Sequence, residues 1–415
     1  MAGYRKYVMA EQALQPLLSL LILFAAAKIG EEIFERLGQP VLVGQILAGF
    51  LVGPSLLHWV AVSPIIDFMS EIGVIFLLFE TGLETQPEEI LEHGWLSFWV
   101  ALLGVLTPLF VGWRFALSVG ENPVTARFVG TLLVATSIGI TAKILGDFGA
   151  LKTAFGRVIL GAAVVDDILG LLALSMLSSF AAEHLRLANL LLTITFVSVF
   201  FIVVLFLRRK AFPRVRPRLE QMRASAPQWS FALVLLLGFS VMSVYIGMAA
   251  IIGAFLAGMF VSESDDVAGP LRVQAKAVSS FVVPFFLADI GMKLSLAALS
   301  QRRTLWLILA LTAIAVLTKM FACGLGALPL GKRSALLVGL GMIPRGEVGI
   351  VVADQSRHIA AIPEAYYSIG ITVAALTTLI GPLLLRTVIR PKRNDTGVSA
   401  IVPDLEAPIS DVQRL

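Results

Sequence analysis

The chain is a succession of apolar runs, and these runs restrict it to a fold that crosses a membrane. They lie near residues 13–30, 41–57, 71–83, 95–119, 128–146, 157–180, 190–208, 229–246, 250–262, 278–298, 305–329, 334–353 and 366–389. Because a helix needs about 20 residues to cross a bilayer, the pattern predicts an all-α integral membrane protein with about 13 transmembrane helices. The second, third and ninth runs are short or rich in glycine, so their ends are the least well defined.

The composition excludes several classes of soluble protein. Of the 415 residues, 58% are hydrophobic and 14% are charged, whereas soluble domains carry about 25% charged residues. A soluble enzyme, a disordered regulator and a nucleic-acid binder are therefore excluded. One cysteine, Cys323, and four scattered histidines provide no disulfide framework and no metal-ligand spacing. We find no nucleophile–base set and no cofactor loop, so we expect neither an enzyme nor a cofactor.

The basic segments predict the orientation in the membrane. Two segments are rich in basic residues, 208–223 with seven Lys and Arg and 386–393 with four, and the positive-inside rule places both in the cytoplasm. An odd number of helices then puts the N-terminus outside, although the basic residues at 5–6 and 302–303 fall on the less favoured side. We therefore expect a multi-pass protein of the cell (inner) membrane, with a membrane domain at 1–390 and a short cytoplasmic tail at 391–415.

The sequence repeats itself weakly. VGQILAGFLV at 43–52 matches IGAFLAGMFV at 252–261, and FLLFETGLE at 76–84 matches FFLADIGMK at 285–293, both at an offset of 209 residues. A third match, between 150–170 and 361–381, has an offset of 211. Chance similarity between apolar helices is the alternative, but three matches in the same order favour a repeat.

The topology of this repeat is typical of a transporter. We expect repeat one at about 13–180, a linker helix at 190–208 and repeat two at about 229–389, with about six helices in each repeat. Six helices and one linker helix make an odd number, so the second repeat enters the membrane inverted. Inverted repeats are typical of secondary transporters that work by alternating access.

Two runs are interrupted at equivalent places. LLVATSIGITAKIL at 132–145 has Thr136, Ser137 and Thr141 near its centre, and LLVGLGMIPRGEVGIVV at 336–352 contains Pro344 among glycines. Proline removes a backbone donor and breaks a helix, and unpaired backbone groups are tolerated in a membrane only inside the protein or around a cavity. The breaks predict an ion site where the ends of half-helices meet. Kinks that serve only packing are the alternative.

Three charged residues lie near the middle of apolar runs. Asp166 and Asp167 are about ten residues from either end of their run, where one carboxylate costs at least about 2.5–3.5 kcal/mol. They predict a group that carries protons or cations, with a purely structural acid pair as the alternative. Lys319 lies deep in its own run and needs an anionic partner, for which an acid of the 157–180 run is the best candidate.

Four further charged residues have less certain roles. Arg345 and Glu347 flank the second break and pair either with each other or with groups across the crossing. Glu80 and Asp289 occupy equivalent positions in the two repeats. They lie either at depth or near helix ends among the lipid headgroups.

Five motifs together resemble a known family, the bacterial monovalent cation:proton antiporters. Within it they resemble the Nap-type sodium/proton antiporters, which belong to the branch shared with the Kef-type potassium/proton systems. The resemblance covers about residues 13–390. Its motifs are QPVLVGQILAGFLVGP (39–54), LLVATSIGITAKIL (132–145), VILGAAVVDDILGLL (158–172), LTKMFACGLGAL (317–328) and GMIPRGEVGIVV (341–352).

The resemblance implies a fold of 13 helices, in which a mobile core domain with two crossing discontinuous helices works against a dimerisation domain. It implies that Asp167 binds the transported Na⁺ or a proton and that Asp166 is the partner of Lys319. Thr136 and Thr141 match polar groups of the unwound stretch near the site. The resemblance also implies a homodimer, which small residues spaced four apart, such as Gly49 and Gly53, would favour.

These observations predict exchange of Na⁺ (or Li⁺) for H⁺ across the membrane by alternating access. The presence of both acids and the lysine implies, by resemblance, that the exchange is electrogenic. The partners are then monovalent cations, protons and the lipid bilayer. A K⁺/H⁺ antiporter of the same fold is the main alternative. A sodium-coupled symporter of organic anions and an ion channel are less favoured, and the symporter gives Lys319 no role.

Overall fold

The computed structural model of the chain describes residues 2–86, 88, 92–181, 195, 199–200, 202–204, 206–208, 210, 214–215, 217–218, 221–223, 226–246, 248–262, 265–294, 301–355, 362–389, 392–393 and 399–400. Statements below concern these residues.

Within the described residues the chain forms fourteen α-helices. They are α1 (Ala2–Arg36), α2 (Val41–Val52), α3 (Pro64–Glu84), α4 (Gly94–Ser118), α5 (Pro123–Leu132), α6 (Ile138–Asp147), α7 (Ala154–Ala181), α8 (Pro227–Tyr245), α9 (Ala250–Val261), α10 (Asp265–Met292), α11 (Arg302–Gly326), α12 (Lys332–Gly341), α13 (Gly346–Gln355) and α14 (Ala365–Val388). A 3-10 turn at Leu328–Leu330 follows α11. In the tail, two short strands, β1 (Lys392–Arg393) and β2 (Ser399–Ala400), pair antiparallel.

The helices coincide with the predicted runs. Each run other than 190–208 overlaps at least one described helix, and the predicted linker helix at 190–208 lies largely outside the described residues. Five described helices are long and apolar enough to cross a membrane: α4, α8, α10 (from Gly269), α11 and α14. The prediction of a helical protein with several membrane-crossing helices is confirmed.

Some helices extend beyond the apolar runs that predicted them. α10 begins at Asp265 and α3 at Pro64, whereas the runs begin at 278 and 71. The added turns carry charged residues such as Arg272 and Lys276, which lower the local hydropathy without preventing a helix. Pro64 lies in the first turn of α3, where its missing N–H would have no partner in any case.

The described helices pack as two groups. The scaffold helices, α1, α2, α3, α8, α9 and α10, contact one another, and the site helices, α4 to α7 and α11 to α14, do the same. The two groups meet where α3 packs against α6 and α2 against α14. This arrangement gives the molecule a boundary along which cavities can lie.

Glycines set the close approach of the scaffold helices. At each of four glycines an added Cβ would overlap a backbone carbonyl oxygen of another helix. The four contacts are Gly49 with Ala288, Gly258 with Phe79, Gly291 with Ile46 and Gly82 with Phe255. The offset of 209 residues relates these contacts in pairs. Gly49 and Ala288 of the first contact correspond to Gly258 and Phe79 of the second, and Gly291 and Ile46 of the third correspond to Gly82 and Phe255 of the fourth.

The small residues of α2 therefore serve contacts within the chain. Gly49 lies against Ala288 of α10, and Gly53 lies near Met292 of the same helix. The spacing of these glycines therefore gives no support for contacts between two subunits, and that interpretation is wrong. Spacing identifies a face on which another helix can approach closely, but it does not identify which helix approaches.

Both interruptions predicted from the sequence are present. α5 ends at Leu132 and α6 begins at Ile138; α12 ends at Gly341 and α13 begins at Gly346. Gly346 has a φ of 32°, a conformation that favours glycine because side chains with a Cβ rarely adopt it.

Candidate functional site

The two interruptions lie against each other inside the protein. The backbone N–H of Ser137 donates to the carbonyl oxygen of Pro344 over 2.8 Å, and the Thr141 hydroxyl donates to the carbonyl oxygen of Gly341 over 2.9 Å. All four residues are buried. The ends of four half-helices therefore meet. The carbonyls at the ends of α5 and α12 and the N–H groups at the starts of α6 and α13 have no partner within their own helices.

Hydroxyl groups satisfy part of this backbone. Ser137 precedes α6, and its Oγ accepts the N–H of Ile140 over 3.2 Å, which is a helix N-cap. Thr378 of α14 accepts the N–H of Gly346 at the start of α13 over 3.0 Å. Thr136 is different, because its Oγ1 is buried and has no hydrogen-bond partner among the described residues. Its hydroxyl is therefore free to contact a ligand at the crossing.

Arg345, which lies in the second interruption, binds backbone carbonyls of the first. Its guanidinium is buried and donates to the carbonyl oxygens of Leu133, of Ala135 (2.8 Å) and of Ala315 (3.4 Å). A cation at the carbonyl end of α5 offsets the negative end of that half-helix. One of the two possibilities that the sequence left open for Arg345, contact with groups across the crossing, is therefore present. Glu347 belongs to α13, but its side chain lies outside the described residues.

Lys319 and Asp166 form an ion pair in the interior. Lys319 Nζ lies 2.8 Å from Asp166 Oδ1, and the two side chains are 0% and 1% exposed. The pair joins α11 to α7. It gives Lys319 the anionic partner that a buried charge near the middle of a membrane helix requires. The pairing of Lys319 with an acid of the 157–180 run is thus present in the structure.

Both aspartates reach a cavity of about 490 Å³, which we call the site cavity. Asp166, Asp167 and the residues Thr131, Val134 and Ala135 line it from the site helices. Val134 and Ala135 belong to the first interruption, so the cavity opens onto the crossing. Asp166 is 1% and Asp167 is 7% exposed, so the second aspartate is the more accessible of the two.

The scaffold helices form the other wall of the site cavity. Phe286 and Asp289 of α10 line it, together with Asp67 and Ser70 of α3. Asp289 is buried and accepts hydrogen bonds from Ser70 (2.9 Å) and Lys293 (2.6 Å). The sequence left open a place at depth or one near a helix end for Asp289. It lies in the last turn of α10, but its side chain is buried inside the protein.

Glu80 is not brought to this cavity. It lines a second cavity of about 300 Å³, which we call the opposite cavity, together with Lys143 of α6. Among the described residues that line the opposite cavity, neither Asp166 nor Asp167 occurs. Glu80 and the aspartate pair are therefore separated by the contact between α3 and α6.

Sequence reasoning missed several residues of the site. Thr131 and Ser70 were not singled out, although both line the site cavity, and neither was Thr378 at the start of α13. Ser70 could have been found, because it precedes the matched segment at 76–84 as Ser279 precedes its counterpart at 285–293. Thr131 lies within α5 and carries no sequence signal that we can identify.

No group of three or more metal-ligating side chains occurs in the described parts of the chain. The oxygens near the cavity are instead carboxylates, hydroxyls and backbone carbonyls. Such an oxygen set suits a small alkali cation that is bound and released, because unwound backbone and half-helix ends coordinate Na⁺ or H⁺ in many transporters.

Known proteins match the chain along almost its full length. Residues 19–390 match the family model described as "Sodium/hydrogen exchanger, transmembrane". The Na⁺/H⁺-K⁺ antiporter GerN of Bacillus cereus is 34% identical over 367 residues, which are 88% of this chain and 94% of the relative. A Na⁺/H⁺ antiporter of Enterococcus hirae is 35% identical over 376 residues, 88% of this chain and 96% of the relative.

A solved structure supports the fold. The sodium proton antiporter MjNhaP1 of Methanocaldococcus jannaschii aligns with a TM-score of 0.60 at 15% identity, over 90% of this chain and 96% of that one. At this identity the match bears on the fold alone.

The family that the five sequence motifs indicated is therefore confirmed. Its members are transporters and not enzymes, and they need no cofactor besides the transported ions. By sequence over residues 19–390, by relatives of similar length and by fold, the chain belongs to the sodium/hydrogen exchanger family.

Proposed function

We propose that the chain exchanges Na⁺ (or Li⁺) for H⁺ across the cell membrane, with Asp167 as the group that holds either ion. The observation that carries this proposal is the place of Asp167: beside a buried Lys319–Asp166 ion pair, in a cavity that opens onto two crossed helix interruptions. The names of the relatives support Na⁺ and H⁺ as the transported ions.

Competition at one carboxylate couples the two ions. When Asp167 is protonated it offers no negative charge to a cation, and when it binds a cation it has lost its proton. The Thr136 hydroxyl and the carbonyl oxygens of the first interruption supply further oxygen ligands. Because neither ion can occupy the site while the other is there, a change of facing state carries one ion in each direction.

Lys319 makes the exchange electrogenic in this proposal. While the site holds no cation, Lys319 stabilises ionised Asp166 over 2.8 Å. When the cation arrives, Lys319 releases its proton, so that two protons are exchanged for one Na⁺. One net charge then crosses the membrane in each cycle, which is worth about 2.3 kcal/mol per 100 mV.

Alternating access follows from the division into scaffold and site helices. In this proposal the site helices are the core domain, and the scaffold helices are the dimerisation domain of a homodimer. Movement of the first against the second would close the site cavity and connect Asp167 to the opposite cavity. The four glycine contacts related by 209 residues support two inverted six-helix repeats, at 13–180 and 229–389, with a linker helix at 190–208 completing 13 helices. The basic segments place the C-terminal tail in the cytoplasm and the N-terminus outside.

A K⁺/H⁺ exchanger of the same fold is the second candidate. The printed name of the Bacillus cereus relative includes K⁺ beside Na⁺ and H⁺. The site chemistry alone serves either cation, so cation preference has to be measured.

The test is transport in proteoliposomes that contain a pH-sensitive dye. Pulses of Na⁺, Li⁺ or K⁺ are applied to the wild type, to Asp167→Asn and to Glu32→Gln, a matched change of an exposed carboxylate to its amide. We expect Na⁺ and Li⁺ to move protons in the wild type and in Glu32→Gln, and no cation to do so in Asp167→Asn. Exchange by Asp167→Asn at the wild-type rate would refute the assignment, and a response to K⁺ alone would establish the second candidate.

A further inference from the structure

Asp289 presents a buried carboxylate oxygen to the site cavity. The residue is 2% exposed, and its Oδ2 accepts the Ser70 hydroxyl and the Lys293 ammonium. Lys293 also lies 3.1 Å from Asp67. Asp289 Oδ1 has no hydrogen-bond partner among the described residues. Because a buried carboxylate oxygen without a donor is costly, this atom is available to a ligand that enters the cavity.

Glu80 has the corresponding surroundings in the opposite cavity. It lies beside Ser279, with Lys276 and Glu84 nearby. The lysine that the site helices contribute, Lys143, is 2.6 Å from Asp147 on its own helix. Glu80 is thus the counterpart of Asp289 among the scaffold carboxylates of this cavity, which also include Glu31 and Glu84.

The two clusters are related residue by residue through the internal repeat. At an offset of 209 the counterparts are Asp67 and Lys276, Ser70 and Ser279, Glu80 and Asp289, and Glu84 and Lys293. α3 and α10 run antiparallel, because Ser70 contacts Asp289 while Glu80 lies beside Ser279. Each cluster contains two acids and one lysine, although the lysine occupies a different position in each.

The clusters face opposite sides of the membrane. Ser70 donates a hydrogen bond to Asp289 and so marks the level of that residue along α3. Ser70 and Glu80 are ten residues apart on α3, which is about 15 Å along a helix axis. That separation is about half of the hydrocarbon thickness of a bilayer. Among the described residues, the scaffold helices therefore place a carboxylate towards each face, buried at Asp289 and half-buried at Glu80, each in its own cavity.

We propose that Asp289 and Glu80 are a matched pair of accessory binding sites for the transported monovalent cation, each serving the face to which its cavity opens. The proposal rests on the exchange function proposed above. A carboxylate with a serine hydroxyl is a set of hard oxygen ligands, which suits an alkali cation. The lysine of each cluster offsets part of the negative charge, so that the cation is held weakly and passes on to Asp167, as sequential ion sites require.

The experiment measures the KM for Na⁺ separately at each face, in right-side-out and inside-out membrane vesicles. Asp289→Asn is expected to raise KM about fivefold at one face, equivalent to about 1 kcal/mol, and to leave KM at the other face unchanged. Glu80→Gln is expected to do the same at the other face. Lys293→Gln should lower KM at the face where Asp289→Asn raises it, a change of opposite sign that a merely damaged fold would not produce.

Equal changes at both faces, or no change at either, would overturn the inference. Asp289→Glu keeps the carboxylate and should restore the wild-type KM; failure to do so while Asp289→Asn behaves normally would also count against it. The proposed function fails separately, through exchange that persists in Asp167→Asn. Normal exchange by the wild type with no one-sided effect at Asp289 or Glu80 would refute the accessory sites alone.

Discussion

Replacing Lys319 by glutamine would remove one half of a buried ion pair. The ammonium lies 2.8 Å from Asp166 Oδ1, and both side chains are at most 1% exposed. With an effective dielectric constant of about 20 the Coulomb attraction at this distance is about 6 kcal/mol, but the removal of both charges from water offsets much of it. Loss of one partner strands the other, so we expect Lys319→Gln to lower the free energy of unfolding by about 3–5 kcal/mol.

A double-mutant cycle separates the pair from its surroundings. Lys319→Gln, Asp166→Asn and the double variant are unfolded reversibly in mixed micelles, and the free energy of unfolding is measured for each. The double variant strands no charge and keeps an amide pair that can form a hydrogen bond. We therefore expect it to be less destabilised than the sum of the single variants, by about 1–3 kcal/mol. Single-variant losses that add to within about 0.5 kcal/mol would show that the two side chains are not coupled.

Transport by the same variant tests the electrical role of Lys319. If Lys319 carries the second proton, Lys319→Gln exchanges Na⁺ without net charge, and an imposed membrane potential no longer changes its rate. Voltage dependence equal to that of the wild type would contradict this role, whatever the stability of the variant.

Three further changes test the packing of the fold by thermal unfolding. Arg345→Lys keeps the charge but loses the planar fork that reaches several carbonyls, so we expect a loss of about 1.5–3 kcal/mol; an unchanged melting temperature would refute it. Gly49→Ala places a Cβ against the Ala288 carbonyl and should cost about 1–3 kcal/mol. The matched control Gly238→Ala meets open space in α8 and should be neutral or stabilising, and equal effects of the two would contradict the close approach. Ser137→Ala removes the N-cap of α6 and should cost about 0.5–2 kcal/mol; no loss would mean that the cap contributes nothing.

The parts of the site that were predictable from the sequence are those where the membrane permits few solutions. Pro344 lies among several glycines, a combination that disfavours a continuous helix, so the second interruption was visible in the sequence. Lys319 and Asp166 are charges deep in apolar runs, and buried charges need partners. These residues could be paired across 153 positions of sequence because few other buried ions were available.

Where several partners were physically possible, the sequence did not choose among them. Arg345 had an acid two residues away and carbonyls across the crossing, and only the three-dimensional arrangement of the interruptions shows that it reaches the carbonyls. Gly49 has a spacing that suits any closely approaching helix, and it contacts α10 of its own chain. The charged first turns of α10 lowered its hydropathy, so its start at Asp265 was placed too late.

The most direct measurement of the central claim is proton release from the purified protein in detergent when Na⁺ is added. Because one carboxylate is proposed to hold either ion, the wild type is expected to release protons along a saturable Na⁺ titration, and Asp167→Asn is expected to release none. Sodium binding by the wild type without any proton release, or release by Asp167→Asn equal to that of the wild type, would contradict the account.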